Sequence, residues 1–231
     1  MPPWRYRVAQ QIARVIVEFD GIPKDITRSR NNHRMIATKV ESRSKIPVFV
    51  RRDSRNPVGS RAEFIRNKGQ QYRMQGLLRD YNLSGNIEAT NLCIDLANGL
   101  VTEGEYWVRA LFHLCLGGTR LPTWDNAHLD MGDQYQFPIV QRIYHLATNV
   151  RNGITETDVL HCFQGRENIG ITEALQHLNT DSRVFSPEQR RGVREIMKLM
   201  SSTREGFGAN WLVENSGRFS INPNIQPDLS M

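Results

Sequence analysis

Ser186-Pro187-Glu188-Gln189-Arg190-Arg191-Gly192-Val193-Arg194-Glu195-Ile196-Met197-Lys198-Leu199-Met200-Ser201 is the passage that decides the fold class. Ser186 followed three residues later by Gln189 forms a capping box, in which each side chain satisfies a backbone N–H left over at the helix start. Proline at the first helical position has no N–H to lose, and its φ is already set for a helix. Val193, Ile196, Met197 and Met200 then recur at the spacing that gathers side chains on one helical face, with Arg190, Arg194 and Lys198 opposite. Arg191 adds to the charge. The passage is a helix that buries one side and wets the other.

The same grammar recurs along the chain. Thr102-Glu103-Gly104-Glu105 is a capping box that opens an apolar stripe of Trp107, Ala110, Leu111, Leu114 and Cys115, stopped by Gly117-Gly118. Thr155 is placed to cap a helix over Val159, Leu160 and Phe163, and Thr172 one over Ala174, Leu175 and Leu178. Pro138 suits the first turn of a helix carrying Ile139, Ile143, Leu146 and Val150 on one face. Asn86–Leu100 reads as a buried helix through Ile87, Leu92, Ile94 and Leu96, ending at Asn98-Gly99. Ser60-Arg61-Ala62-Glu63 caps a segment running to Asp80 that is basic nearly all round and weakened by Gly69 and Gly76.

Near the N-terminus, Trp4, Val8, Ile12, Val15, Ile16 and Phe19 recur at helical spacing, with Arg7, Gln10, Arg14 and Glu18 between them and Gly21-Ile22-Pro23 beyond. The run Val15-Ile16-Val17 leaves a strand as the alternative. Such a stripe is either a core helix of this chain or a face that docks on a neighbouring copy. After Thr203 the periodicity stops. Gly206-Phe207-Gly208, Asn215-Ser216-Gly217 and Asn222-Pro223 describe an irregular polar tail. The expected fold is therefore mainly α. It comprises an N-terminal helix and basic arm (1–59), a helical core (60–202) and an irregular C-terminal tail (203–231).

Charge is divided along the chain. Residues 1–80 carry 18 Lys+Arg against 7 Asp+Glu, a net of +11; residues 81–231 carry 12 against 17, a net of −5. These sum to the +6 of the whole. Arg28, Arg30, Arg34, Lys39, Arg43, Lys45, Arg51, Arg52 and Arg55 face only Asp25, Glu41 and Asp53 in the arm, where Met35–Val40 and Ile46–Val50 are short enough to pair as a hairpin. Positive charge gathered at one end of a chain is an electrostatic footprint for a polyanion. Arg61, Arg66, Lys68 and Arg73 extend it. The expected mode is neutralisation of phosphates by arginine, with Tyr6, Phe49 or Tyr72 to stack on bases.

Chemistry beyond binding finds no motif. There is no Gly-x-Ser-x-Gly elbow and no Gly-x-x-x-x-Gly-Lys-Ser/Thr phosphate loop. His113-Leu114-Cys115 and His161-Cys162 lack a second pair at zinc spacing. Asp125, His128, Asp130 and Asp133 share a loop without the alternation of a calcium-binding loop, and read as solvated turns. Cys93, Cys115 and Cys162 lie in apolar contexts and read as reduced core residues. No run reaches 18 apolar residues, and Met-Pro-Pro-Trp-Arg-Tyr-Arg lacks the apolar centre of a signal peptide, so a soluble intracellular protein is expected. No enzymatic activity, no cofactor and no metal are expected.

A basic N-terminal arm, a helical middle with several capped helices and an irregular tail resemble the plan of helical viral coat proteins and nucleoproteins. The likeness is one of architecture and assigns no individual residue a role. It implies a structural protein of the virion and host cytoplasm that covers single-stranded RNA and binds other copies of itself. The expected RNA contacts are Arg28, Arg30, Arg34, Arg43, Lys45, Arg51, Arg52, Arg55, Arg61, Arg66, Lys68 and Arg73. The expected subunit contacts are Trp4, Val8, Ile12, Phe19, Trp211, Leu212 and Phe219, apolar anchors in terminal segments with no core of their own. Three other classes remain open. One is a regulatory nucleic-acid-binding module using the basic face of 187–201. Another is a basic matrix-type protein on anionic lipid, and the third a metal-dependent nuclease using Asp125, Asp130 and Asp133.

Overall fold

The Ser186 hydroxyl accepts from the Gln189 amide at 3.2 Å while the Gln189 side-chain oxygen accepts from the Ser186 amide at 2.9 Å, so the capping box closes in both directions. Thr102 with Glu105 and Thr155 with Asp158 close the same way. Each such cap is worth about 1 kcal/mol and fixes where its helix begins. The computed structural model describes residues 5–21, 38–39, 42–43, 72, 75–79, 87–112, 138–166, 168–204 and 208–227. Among them the elements are α1 (Tyr6–Glu18), α2 (Asn91–Asn98), α3 (Glu103–Trp107), a π-helical turn (Val108–Phe112), α4 (Ile139–Asn149), α5 (Glu156–Phe163), α6 (Ile171–Gln176), α7 (Pro187–Ser201), β1 (Leu212–Asn215) and β2 (Arg218–Ile221). Among the described residues helix at 54 % against strand at 8 % makes the fold mainly α, as expected. Among the described residues no helix is long and apolar enough to cross a membrane. The chain divides into two compact units, Met1–Ala110 and Leu111–Met231.

In the first unit α1 packs along α2. Val8, Ala9, Ile12, Ala13, Val15 and Ile16 form its buried face, and Leu92, Cys93 and Leu96 are buried on α2. Helix α2 begins at Asn91 rather than Asn86, because the residues ahead of it are held extended. Ala89 bridges Leu78, its amide donates to Asp20 Oδ1 at 2.7 Å, and the Gly21 amide donates to the Ile87 carbonyl at 2.8 Å. Thr90 Oγ1 then caps the helix by accepting from the Cys93 amide at 3.1 Å. Gly99, at φ +75°, ends it in the left-handed conformation that glycine adopts without a Cβ penalty.

Of the basic segment expected to be helical to Asp80, the described residues 75–79 are not helical. Gly76 has φ +70°, and the Leu77 amide donates to the Tyr72 carbonyl at 2.8 Å. That long bond past a left-handed residue is the C-terminal signature of a helix, with Tyr72 and Leu77 both buried beside it. Thr38, Lys39, Ser42 and Arg43 are helical, so the hairpin imagined through 35–40 does not form at these residues.

In the second unit α5 packs against α7, and α4 against β2 and α6. Val193, Ile196, Met197 and Met200 are buried and Arg190, Arg191, Arg194 and Lys198 exposed, as the spacing required. Thr172 is not a cap: α6 starts after Gly170 and buries Ala174 alone. The tail departs from the irregular segment expected of it. Leu212 pairs with Ile221 and Asn215 with Arg218 in an antiparallel hairpin. Ser216 and Gly217 both take positive φ, the twist that a two-residue hairpin turn needs. Ala209 and Trp211 donate to the Leu199 and Met200 carbonyls, satisfying the end of α7. Gly208 makes that approach fit, since a Cβ there would lie 2.4 Å from the Leu199 oxygen.

Asp181 is a polar knot within this unit. Its Oδ2 accepts from Arg166 Nη1 at 2.7 Å and from Arg183 Nε at 2.7 Å, while Oδ1 accepts from the Arg183 amide at 2.9 Å. His161 Nδ1 lies 3.4 Å from Oδ2. The same two guanidinium groups donate to the His161 and Gln164 carbonyls at the end of α5. Arg183 first, then Arg166, hold the Asp181 carboxyl well below the usual carboxylate range. A depressed folded pKa contributes stability above the unfolded value, and that contribution fades as pH falls through the folded one. Asp181→Asn should therefore lower the melting temperature by several degrees at neutral pH. The gap to wild type should narrow on acidification below about pH 4, the ordinary aspartate value. Thermal melts across that range check it.

Candidate nucleic-acid interface

Arg7, Gln11, Arg14 and Glu18 are spaced four, three and four residues apart, which lines them along one face of α1 away from its buried stripe. Beside that face lies an open groove of about 570 Å³, lined by Gln11, Arg14, Val17, Glu18, Arg43, Ala97 and Asn98. Arg14 is fixed at one wall, its Nε donating to the Ala97 carbonyl at 3.1 Å in the last turn of α2. A cation there complements the negative end of the helix dipole. Glu18 occupies the other end. Lys39 Nζ donates to its Oε2 at 2.7 Å, and Arg43 Nη2 donates to its Oε1. Lys39 also stands 5.6 Å from the centre of the Phe19 ring, a cation–π distance. The hydrogen bond from Lys39, and then that from Arg43, lower the Glu18 pKa.

Of the expected RNA contacts, Arg43 falls among the described residues and sits in this groove. Arg28, Arg30, Arg34, Lys45, Arg51, Arg52, Arg55, Arg61, Arg66, Lys68 and Arg73 lie outside them. Arg14 and Lys39 join Arg43 without having been singled out as contacts. Lys39 was legible as part of the arm's charge, whereas Arg14 is separated from the arm in sequence and only packing brings it near.

The expected stacking residues fare differently. Tyr72 is 2 % exposed, too buried to meet a base. Tyr6 is half-buried and its hydroxyl donates to the Val101 carbonyl at 2.6 Å. Phe49 lies outside the described residues. The apolar residues expected at subunit contacts, Val8, Ile12, Phe19, Trp211, Leu212 and Phe219, are each buried within this one chain. Their placement matches their use: Val8 and Ile12 on α1, Phe19 just past its end, and the others at the hairpin close local cores. Trp4 lies outside the described residues.

Cys93 and Cys162 are free and buried, with burial first among the causes that push both thiols up to about 12, so neither is a ready nucleophile or ligand. Among the described residues no cluster of His, Cys, Asp and Glu is arranged to hold a metal ion. Asp125, His128, Asp130, Asp133, His113 and Cys115 lie outside them. On α7, Arg194 donates to Glu156 at 2.9 Å and Arg191 to Glu195 at 3.2 Å, so acids already answer part of that helix's charge. The chain matches no protein-family model, no curated protein and no solved structure.

Proposed function

We propose that this protein is a structural, non-enzymatic RNA-encapsidating protein, a viral coat protein or nucleoprotein of the virion and host cytoplasm. It binds single-stranded RNA without sequence preference through arginine–phosphate contacts, and it assembles with copies of itself. The observation that carries the reading is the segregation of charge, +11 over residues 1–80 against −5 over the remainder. A dispersed set of guanidinium groups suits backbone contact, since each forks onto phosphate oxygens and none needs a particular base. The groove beside α1 supports it by bringing Arg14 of the N-terminal helix beside the arm's Arg43, with the arm's Lys39 paired to Glu18 at its edge. Burial of the apolar anchors within the chain's own cores moves assembly to the remaining exposed surface of the terminal segments.

Protein purified without nuclease should carry a high A260/A280 ratio and appear as filaments or rings in negative stain. A low ratio with small uniform particles, unchanged on adding RNA, would overturn the proposal. The exposed cations of α7 favour one second reading, a regulatory nucleic-acid-binding module. Under it, replacing Arg190, Arg194 and Lys198 would abolish binding.

A further inference from the structure

We propose that the groove beside α1 is a phosphodiester subsite which Glu18 occupies internally when no nucleic acid is bound. The inference rests on the RNA-binding reading and assigns that site an electrostatic gate. One carboxylate receives both an ammonium and a guanidinium, each oxygen serving one cation. Two non-bridging phosphate oxygens present the same pair of acceptors with the same charge. Arg14 stands one turn away on the same face of α1, already anchored through Nε to Ala97. Gln11 and Asn98 add amide groups along the walls. Counting Lys39, Arg43, Arg14 and Glu18, the site carries a net +2, an excess that invites a further anion.

Exchange is easy because the pairs are wet. Side-chain exposure is 41 % at Lys39, 36 % at Arg43 and 32 % at Glu18. Ion pairs at such exposure hold weakly, so an incoming phosphate can replace the carboxylate without unfolding anything. Glu18 itself leaves no buried charge behind, being exposed on the last turn of α1. It also opposes the incoming anion while it stays in place. Binding at this subsite is therefore gated rather than constitutive.

The test uses full-length protein and a labelled uridine homopolymer, with affinity read against salt. Glu18→Gln should bind about tenfold tighter at low salt, the worth of two exposed ion pairs released. Its salt slope should steepen by up to about 1.4, at about 0.7 per phosphate contact on a single strand. Glu214→Gln removes the same charge from an exposed position on β1 and should behave as wild type. Combining Glu18→Gln with Lys39→Gln and Arg43→Gln should erase the gain, whereas combining it with Arg151→Gln and Lys198→Gln, the same change in charge at exposed positions of the other unit, should keep it. Circular dichroism checks that each variant folds. If wild type binds RNA and Glu18→Gln shows the wild-type slope, the gate is overturned while the RNA reading stands. If neither binds at low salt, both fall.

Discussion

Replacing Arg28, Arg30, Arg34, Arg43, Lys45, Arg51, Arg52 and Arg55 together with glutamine is expected to cost about a thousandfold or more in affinity for single-stranded RNA at low salt. Binding through phosphates releases counterions, and each contact contributes about 0.7 to the slope of log affinity against log salt on a single strand. Eight fewer contacts would remove about 5.6 from that slope. Glutamine keeps length and hydrogen bonding but not charge, so the loss reports electrostatics. A comparison variant, Arg190→Gln with Arg194→Gln and Lys198→Gln, removes three exposed cations from α7. Arg194 already answers Glu156, and this variant should lose less than tenfold. Fluorescence titration over a salt series measures both. If the arm variant binds like wild type while the α7 variant fails, the protein reads nucleic acid through α7, and the encapsidation proposal is overturned.

Where local chemistry dictates structure, the sequence was readable. The capping boxes expected at Thr102 and Ser186 both form, and Thr155, expected as a cap, forms one with Asp158; the box expected at Ser60–Glu63 lies outside the described residues. The stripes of α1 and α7 are buried at the residues that periodicity selects. Elements decided by distant partners were not readable. Ala89 is extended because Leu78 and Asp20 hold it there, and nothing within 86–100 announces that. The hairpin was missed for a subtler reason. Asn215-Ser216-Gly217 was a legible turn, but each flanking strand has only four residues, and its burial follows from Ile154 elsewhere in the chain.

The site divides along the same line. A surplus of arginine is visible in composition, so the arm stands out from sequence alone. The groove could not, because it needs α1, Arg43 and the end of α2 side by side. Glu18 illustrates the gap. In sequence it is one polar residue on a helix face; in the fold it is the carboxylate on which two arm cations converge. Acidic residues within a basic region carry as much information about binding as the basic ones.

Phe219→Ala is expected to destabilise the isolated subunit by about 3–5 kcal/mol, the range for deleting a fully buried aromatic side chain. The residue is wholly buried, and its backbone exchanges two 2.8 Å hydrogen bonds with Ile154, tying β2 to the segment after α4. Truncation would leave a cavity at that junction, and the backbone pairing limits how far the surroundings can close on it. Val213→Ala tests the opposite face of the same hairpin, where the side chain is 41 % exposed. That change should stay within about 0.5 kcal/mol. Urea unfolding at several protein concentrations separates the two roles considered for Phe219. A core residue lowers the midpoint equally at every concentration, whereas a residue used only between subunits leaves the dilute protein unchanged and weakens assembly. The burial of Phe219 predicts the first pattern, and the proposed assembly would then have to use side chains that the two cores leave exposed.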